Sequence, residues 1–241
     1  MSFIYHNLIF KPIYNFLIGL FAISPFINAG LAIIIVTIVV RLILFPLSQK
    51  AVRAQVQMQS ISAELEKIKN KYKDDKEEQA KKTLELYKEK GVNPFSGFLV
   101  LIIQLPVVWA LYRAFLSTGF PHVDTSLLYS FVHAPAAISD MFFGLDLAQK
   151  SVLLALLAAV ATFFQMRLAT GRTATPKSSS GSFGDDLAKS MQTQMQFVFP
   201  VIVFLIAYKI SGVIALYWLT TNLFTIGQEI VVRRKLATQT L

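Results

Sequence analysis

The chain has 241 residues, 54% of them hydrophobic and only 15% charged, with a formal net charge of +9. A soluble domain is about 45–50% apolar and about a quarter charged, so little of this length is left for one. The basic residues lie between apolar runs, as in membrane-protein loops rather than nucleic-acid-binding domains; with no cysteine and three scattered histidines (His6, His122, His133), thiol chemistry, disulfides and a metal site are excluded or disfavoured.

The N-terminus shows no signal-peptide pattern. Residues 1–26 read as an amphipathic interfacial helix. Tyr5, Leu8, Ile9, Ile13, Phe16, Leu17 and Leu20 recur at three- and four-residue steps, Asn7, Lys11 and Asn15 line the opposite face, and Pro12 bends the helix or ends its first part. The rival reading of this segment is an additional, poor span. The first clear span covers 27–48 and contains Arg41.

The hydrophilic block 49–94 is too regular for disorder. Met58, Ile61, Leu65, Ile68 and Tyr72 step by 3, 4, 3 and 4, the spacing of a coiled-coil seam. Asp74 and Asp75 interrupt the pattern and offer a cap for a second helix, with Ala80, Leu84 and Tyr87 as its inward face and Gly91 as its end. The expectation is an antiparallel coiled-coil hairpin. A plain connection needs only about two to eight residues, so two helices of this length point to docking or gating.

Further spans are expected at 95–118, 147–168, 195–209 and 212–232, separated by a loop at 119–146, a Gly/Ser/Thr-rich linker at 169–194 and a tail at 233–241. Eleven Lys and Arg fall between Lys50 and Lys90, the linker and tail carry more, and the 119–146 loop has none. Lys and Arg accumulate in cytoplasmic loops, which places the N-terminus outside and the hairpin and C-terminus in the cytoplasm. The fold class is therefore an all-α integral membrane protein of five transmembrane helices.

Polar residues within the spans carry the functional signal. A central Arg costs about 2.5–3.5 kcal/mol on insertion scales, and Arg41 lies roughly 9 Å from the inner end of its span at 1.5 Å per residue; snorkelling to the interface is the competing explanation. Thr37 lies one turn before Arg41, Gln104 and Gln165 sit in the next two spans, and Thr220, Thr221, Asn222 and Gln228 in the last. Polar groups from several spans point to a shared wet cavity open to the cytoplasm. Glu229, beside Arg233 at i+4, reads as a surface ion pair. No carboxylate is expected deep in a span and no Ser/His or Ser/Lys pairing is evident, which speaks against a proton-coupled transporter, an intramembrane protease and enzymatic activity generally.

The strings VRLILFPLSQKA around Arg41, LYKEKGVNPFSGFLVLIIQLPVVWALYRAF and FVFPVIVFLIAYKISGVIALYWLTTNLFTIGQ resemble the YidC/Oxa/Albino family of membrane protein insertases, in order and over nearly the whole chain. The resemblance implies a chaperone-like insertase without nucleotide hydrolysis or cofactor, whose hydrophilic groove opens to the cytoplasm and sideways to lipid. It implies groove roles for Arg41, Thr37, Gln104, Gln165, Asn222 and Gln228, and a substrate slide at Tyr217 and Trp218. Nascent membrane proteins and the lipid bilayer are the implied partners, with the ribosome, the signal recognition particle pathway and the Sec translocon open as others. The large extracytoplasmic domain of some members and a lipid-anchored Cys are missing. The residues alone also allow a small-solute channel or transporter, or a non-catalytic assembly scaffold, although no inverted repeat is visible.

Overall fold

The computed structural model describes residues 3–24, 26–93, 105–117, 123–170 and 183–239. Over these it is mostly helical. The helices are α1 (Phe3–Ile23), α2 (Ala29–Ile43), α3 (Phe45–Ser60), α4 (Ser62–Lys71), α5 (Lys76–Glu89), α6 (Leu105–Phe115), α7 (Val152–Thr170), α8 (Phe183–Ile210) and α9 (Gly212–Gln239). A small departure from an all-helical chain is a two-residue ribbon, β1 (Met141–Phe142) against β2 (Leu145–Asp146). Its Phe143-Gly144 turn has positive φ at both positions, 49° and 78°, as a type I′ turn requires.

By length and composition, α1 and Val152–Ala169 of α7 are long and apolar enough to cross a bilayer, and the α2–α3 pair, bent by 65°, makes a third if it is one span. Stretches within the other apolar helices, Leu105–Phe115 and Gln196–Ile210, are shorter. Leu153, Leu157, Val160, Val201, Ile202 and Leu205 of α7 and α8 are exposed. Apolar surface this extensive belongs against lipid rather than water.

The N-terminal segment departs from its sequence reading. Pro12 neither ends nor breaks α1. Its missing N–H and its ring, which would clash with the carbonyl four residues back, are accommodated by a wider π turn over His6–Phe10, where the Lys11 N–H reaches the His6 carbonyl. Asn15 does not line an outward polar face; it is 3% exposed. Its amide donates to the carbonyls of Lys11 and Leu127, both at 2.9 Å, and accepts from the Tyr129 N–H at 2.6 Å. A buried amide is tolerated when its hydrogen bonds are made, and this one fastens α1 to the 123–132 segment. Tyr14 adds a second tie, its hydroxyl accepting from the Asp124 N–H at 2.8 Å.

One end of the bundle is closed largely by main chain. The Ala29 N–H donates to Ser139, Leu147 to Asp140, Gly212 to Gln149 and Val213 to Leu147, at 2.7–3.1 Å. The loop from 139 to 149 thereby joins the starts of α2 and α9. The hydrophobic core gathers at this end, with Leu17, Ile33, Leu111, Leu147 and Ile214 fully buried. Gly30 lets Phe142 lie flat on α2: a Cβ there would fall 2.2 Å from the ring.

At the other end, α2 and α3 meet at a bend of 65°. Pro46 starts α3, where its fixed φ suits a first turn and its missing N–H is no loss. The α3 axis then stops at Ile61, and α4 and α5 fold back on one another across Tyr72–Asp75. Asp75 caps α5 by accepting from the Glu78 N–H. Gly91, at φ +63°, ends it in a Schellman turn, Val92 N–H to Tyr87 and Gly91 N–H to Lys88. Ile61, Leu86 and Val92 form a separate small core with Met58, Leu65, Ile68 and Tyr87 around it. Of the inward face of α5 expected from sequence, Tyr87 packs on this core, whereas Ala80 is exposed and Leu84 is 58% exposed. Gln79, Thr83 and Leu86 face inward instead, with the Gln79 amide donating to the Lys69 carbonyl at 3.0 Å. Lys90 and Glu64 bridge the two helices at 3.1 Å. On the exposed face, the hydrogen bond to Glu85 raises the Lys82 ammonium, and the same bond lowers the Glu85 carboxyl.

Two boundaries also move. Helix α8 reaches back to Phe183, into residues read as linker, where Leu, Ala, Met and Gln favour helix. Helix α9 continues to Gln239, through the expected tail. Residues 94–104, where the second span was expected to begin, and 171–182 of the linker lie outside the described residues.

Gly30→Val should destabilise the protein by about 1–3 kcal/mol through overpacking against Phe142. Thermal unfolding in detergent should recover much of that loss when Phe142→Ala is added, because the two sites then couple.

Candidate functional site

Arg41 sits in the last turn of α2, just before the bend, and is 6% exposed. It makes no hydrogen bond or salt bridge with any described residue. Position explains part of its tolerance, since the helix C-terminus favours a cation by about 0.3–1 kcal/mol. That falls short of the insertion penalty of about 2.5–3.5 kcal/mol, so the guanidinium needs polar surroundings. Helix α9, which packs along both α2 and α7, supplies them.

Tyr217 is 2% exposed and close enough to Arg41 for direct electrostatic influence. Thr221 follows one turn later. Their hydroxyls lie near one another, yet neither closes a hydrogen bond of acceptable geometry, and both are buried without a partner. Buried hydroxyls are normally satisfied. Thr37 is also buried, but its hydroxyl donates back to the Ile33 carbonyl at 2.6 Å, so it presents its methyl and spare lone pair rather than a free donor.

The periodicity of α9 divides its polar residues between two neighbours. Tyr217, Thr221 and Gln228 are spaced by four and seven and face α2 and α3, where the Gln228 amide donates to the Phe45 carbonyl beside the bend at 3.4 Å. Asn222, Glu229 and Arg233 are spaced by seven and four and face α7. The Asn222 amide donates to the Thr162 hydroxyl at 2.6 Å and to the Ala158 carbonyl at 3.4 Å. Asn222 therefore clamps two helices, and its donors are turned away from Arg41. Gln165 is half-buried on α7 without a hydrogen bond among the described residues. Gln104 lies outside the described residues. Trp218 is partly buried against the core, and Tyr217 lies inside the bundle rather than on an open surface.

The sequence reading of Glu229 needs correction. It is not a surface residue: it is 1% exposed, and Arg233 approaches it at 2.8 Å from a position one quarter exposed. Arg233 also donates to the Gln59 side-chain oxygen at 3.3 Å and the Ala169 carbonyl at 3.2 Å. Gln59 donates to that same carbonyl at 2.8 Å, and Gln55 donates to it as well. The i+4 spacing revealed the pair, but the glutamines that enclose it come from a segment 170 residues away and left no local signal.

Chemically, the set around Arg41 offers a cation and two hydroxyls that have no partner among the described residues, in a buried place. It can receive a carboxylate, a peptide carbonyl or a chain of water. Among the described residues no group of His, Cys, Asp and Glu could hold a metal ion. Two apolar clefts, of about 270 Å³ between α7 and α8 and about 490 Å³ between α1 and residues 129–133, share no residue with this set.

A family model described as "60Kd inner membrane protein" matches residues 21–239. The chain is 33% identical over 208 residues to the membrane protein insertase YidC of Fusobacterium nucleatum, covering 86% of this chain and 87% of that one. It is 31% identical to the insertase YidC of Oceanobacillus iheyensis, covering 85% and 74%. With the insertase YidC of Pelobacter propionicus it shares 32% identity and spans about a third of the relative's length, 35%.

Arg41→Met should leave the protein as stable or more stable, because it removes a buried unpaired cation. Asn222→Leu should cost about 0.6 kcal/mol and at most about 1.7 kcal/mol, the range for interhelical hydrogen bonds in membranes. Thermal unfolding of the two variants in the same detergent checks this contrast.

Proposed function

The chain belongs to the 60Kd inner membrane protein family, and on that footing we propose that it is a membrane protein insertase of the inner membrane. The observation that carries the reading is Arg41, buried beside two hydroxyls and, among the described residues, with no anion to pair with it and no partner for either hydroxyl. A buried charge that costs stability and has no counter-charge among the described residues fits a role in receiving one. An acidic or polar stretch of an incoming polypeptide fits that role, since attraction between charges strengthens as water is excluded.

The energetics close without nucleotide. A translocated Asp costs about 2.5–3.5 kcal/mol at the bilayer centre, whereas each Leu, Ile, Phe or Val of the following segment returns about 0.3–0.6 kcal/mol. A segment rich in such residues offsets one or two carboxylates, so partition into lipid drives release. Arg41 lowers the barrier for the carboxylate to enter, and its position at the bend puts it at the edge of the apolar layer rather than outside it.

The finer arrangement belongs to the same proposal. Five spans at 27–48, 95–118, 147–168, 195–209 and 212–232 put the Lys-rich 49–94 segment and the C-terminus in the cytoplasm, and 119–146 outside; the eleven basic residues of Lys50 to Lys90 support this orientation. Residues 1–26 lie at the outer interface. Trp218 serves as contact for the apolar part of a substrate, and Gln104, Gln165 and Gln228 keep the cavity wet. Nascent membrane proteins and lipid are the partners. The folded-back α4–α5 pair is the element suited to meet the ribosome, a signal recognition particle receptor or the Sec translocon.

Purified protein in liposomes should insert a short single-span substrate above protein-free background; insertion at background level removes the proposal. Arg41→Ala should lower insertion of substrates with acidic translocated segments at least tenfold while sparing neutral ones, and Arg41→Lys should keep more activity than Arg41→Ala. Equal loss for neutral substrates contradicts the charge-attraction account.

A further inference from the structure

Three helices meet at a single carbonyl. Ala169 lies in the last turn of α7, where main-chain oxygens have no partner within their own helix. Its oxygen accepts from Gln55 and Gln59 of α3 and from Arg233 of α9. Arg233 is in turn held by the buried Glu229 and by the Gln59 oxygen. The glutamines and Arg233 thus link α3, which leads from the bend into the charged helix pair, to the ends of both helices that flank it.

A carbonyl has two lone pairs and here meets three donors. One donor is always surplus, so α3 can shift by a side-chain rotamer without stranding the oxygen. The charged pair stays fixed while the glutamines do not: Glu229 and Arg233 share one helix at i+4 and remain together wherever α3 goes. The movable half of this junction is therefore Gln55 and Gln59 alone.

We propose that Gln55 and Gln59, docked on Ala169 and Arg233, are positioning residues that set the angle of α3 at the bend after Arg41 and hence the width of the mouth through which a polypeptide reaches Arg41. The second half of this statement rests on the insertase reading; the first does not. These side chains touch no substrate, and their effect passes through the α2–α3 bend. Gln228 on the Phe45 carbonyl steadies the near side of the same bend.

The chain has no cysteine, so Asp74→Cys at the exposed α4–α5 turn and Arg167→Cys on the exposed face of α7 accept two spin labels and nothing else does. Electron–electron distance measurements on the labelled protein in lipid nanodiscs should give one narrow distribution. Gln55→Leu with Gln59→Leu, which leaves the Glu229–Arg233 pair intact, should broaden or shift it and slow liposome insertion of an acidic single-span substrate about fivefold or more. Arg41→Ala should lose insertion with the distribution unchanged. Arg233→Lys, which keeps the charge beside Glu229 but not the fork, should broaden the distribution less than the double glutamine variant, and this serves should the latter fail to fold. Unchanged distances in both variants overturn the latch. Broadened distances with full insertion overturn its link to substrate entry. A wild-type protein that holds a narrow distance and inserts nothing leaves the latch standing and removes the insertase reading instead.

Discussion

A guanidinium in an apolar helix has to be compensated, and in this protein the compensation is spread rather than paired. The helix C-terminus gives Arg41 a little, the bend at Leu44 follows within a turn, and α9 lines its flank with hydroxyls. No anion answers it among the described residues. A salt bridge would have quenched the charge and made it useless for attracting anything else. The neighbouring Glu229–Arg233 pair shows the opposite solution: complete, enclosed and structural.

The two arginines differ in what they bond. Arg233 spends its donors on a carboxylate, an amide and a main-chain oxygen. Arg41 spends none on the described residues. The same helix, α9, serves both, because residues spaced by seven fall on one face and a second set one position on falls on the next. A single helix can therefore present hydroxyls to Arg41 on one side and weld the bundle on the other.

Much of this was legible in the chain, and the failures have physical causes. Arg41 stood out because charge amid Ile and Val is expensive enough to be conspicuous. The caps at Asp75 and Gly91 were legible because their chemistry is local. Asn15 and Glu229 depart from their expected polar surroundings for a shared reason: distant segments cover them, the 127–129 segment bonding Asn15 directly and Gln59 and Ala169 engaging Arg233, the partner of Glu229. Leu84 departs from expectation because apolar identity alone does not fix the packed face: Leu86 is the buried residue of α5, with Gln79 and Thr83 partly covered beside it. Asn222 looked like a cavity residue until its partner on α7 was known.

The two ends of the bundle are joined by different kinds of bond. Around the 139–149 loop the ties are main chain to main chain, so most side chains there can be exchanged without removing a donor or acceptor. At the Ala169 junction only the acceptor is main chain, and every donor is a side chain. Exchanging a polar side chain of the 139–149 loop therefore leaves its four main-chain ties in place. Exchanging Gln55, Gln59 or Arg233 takes a donor away from the junction itself.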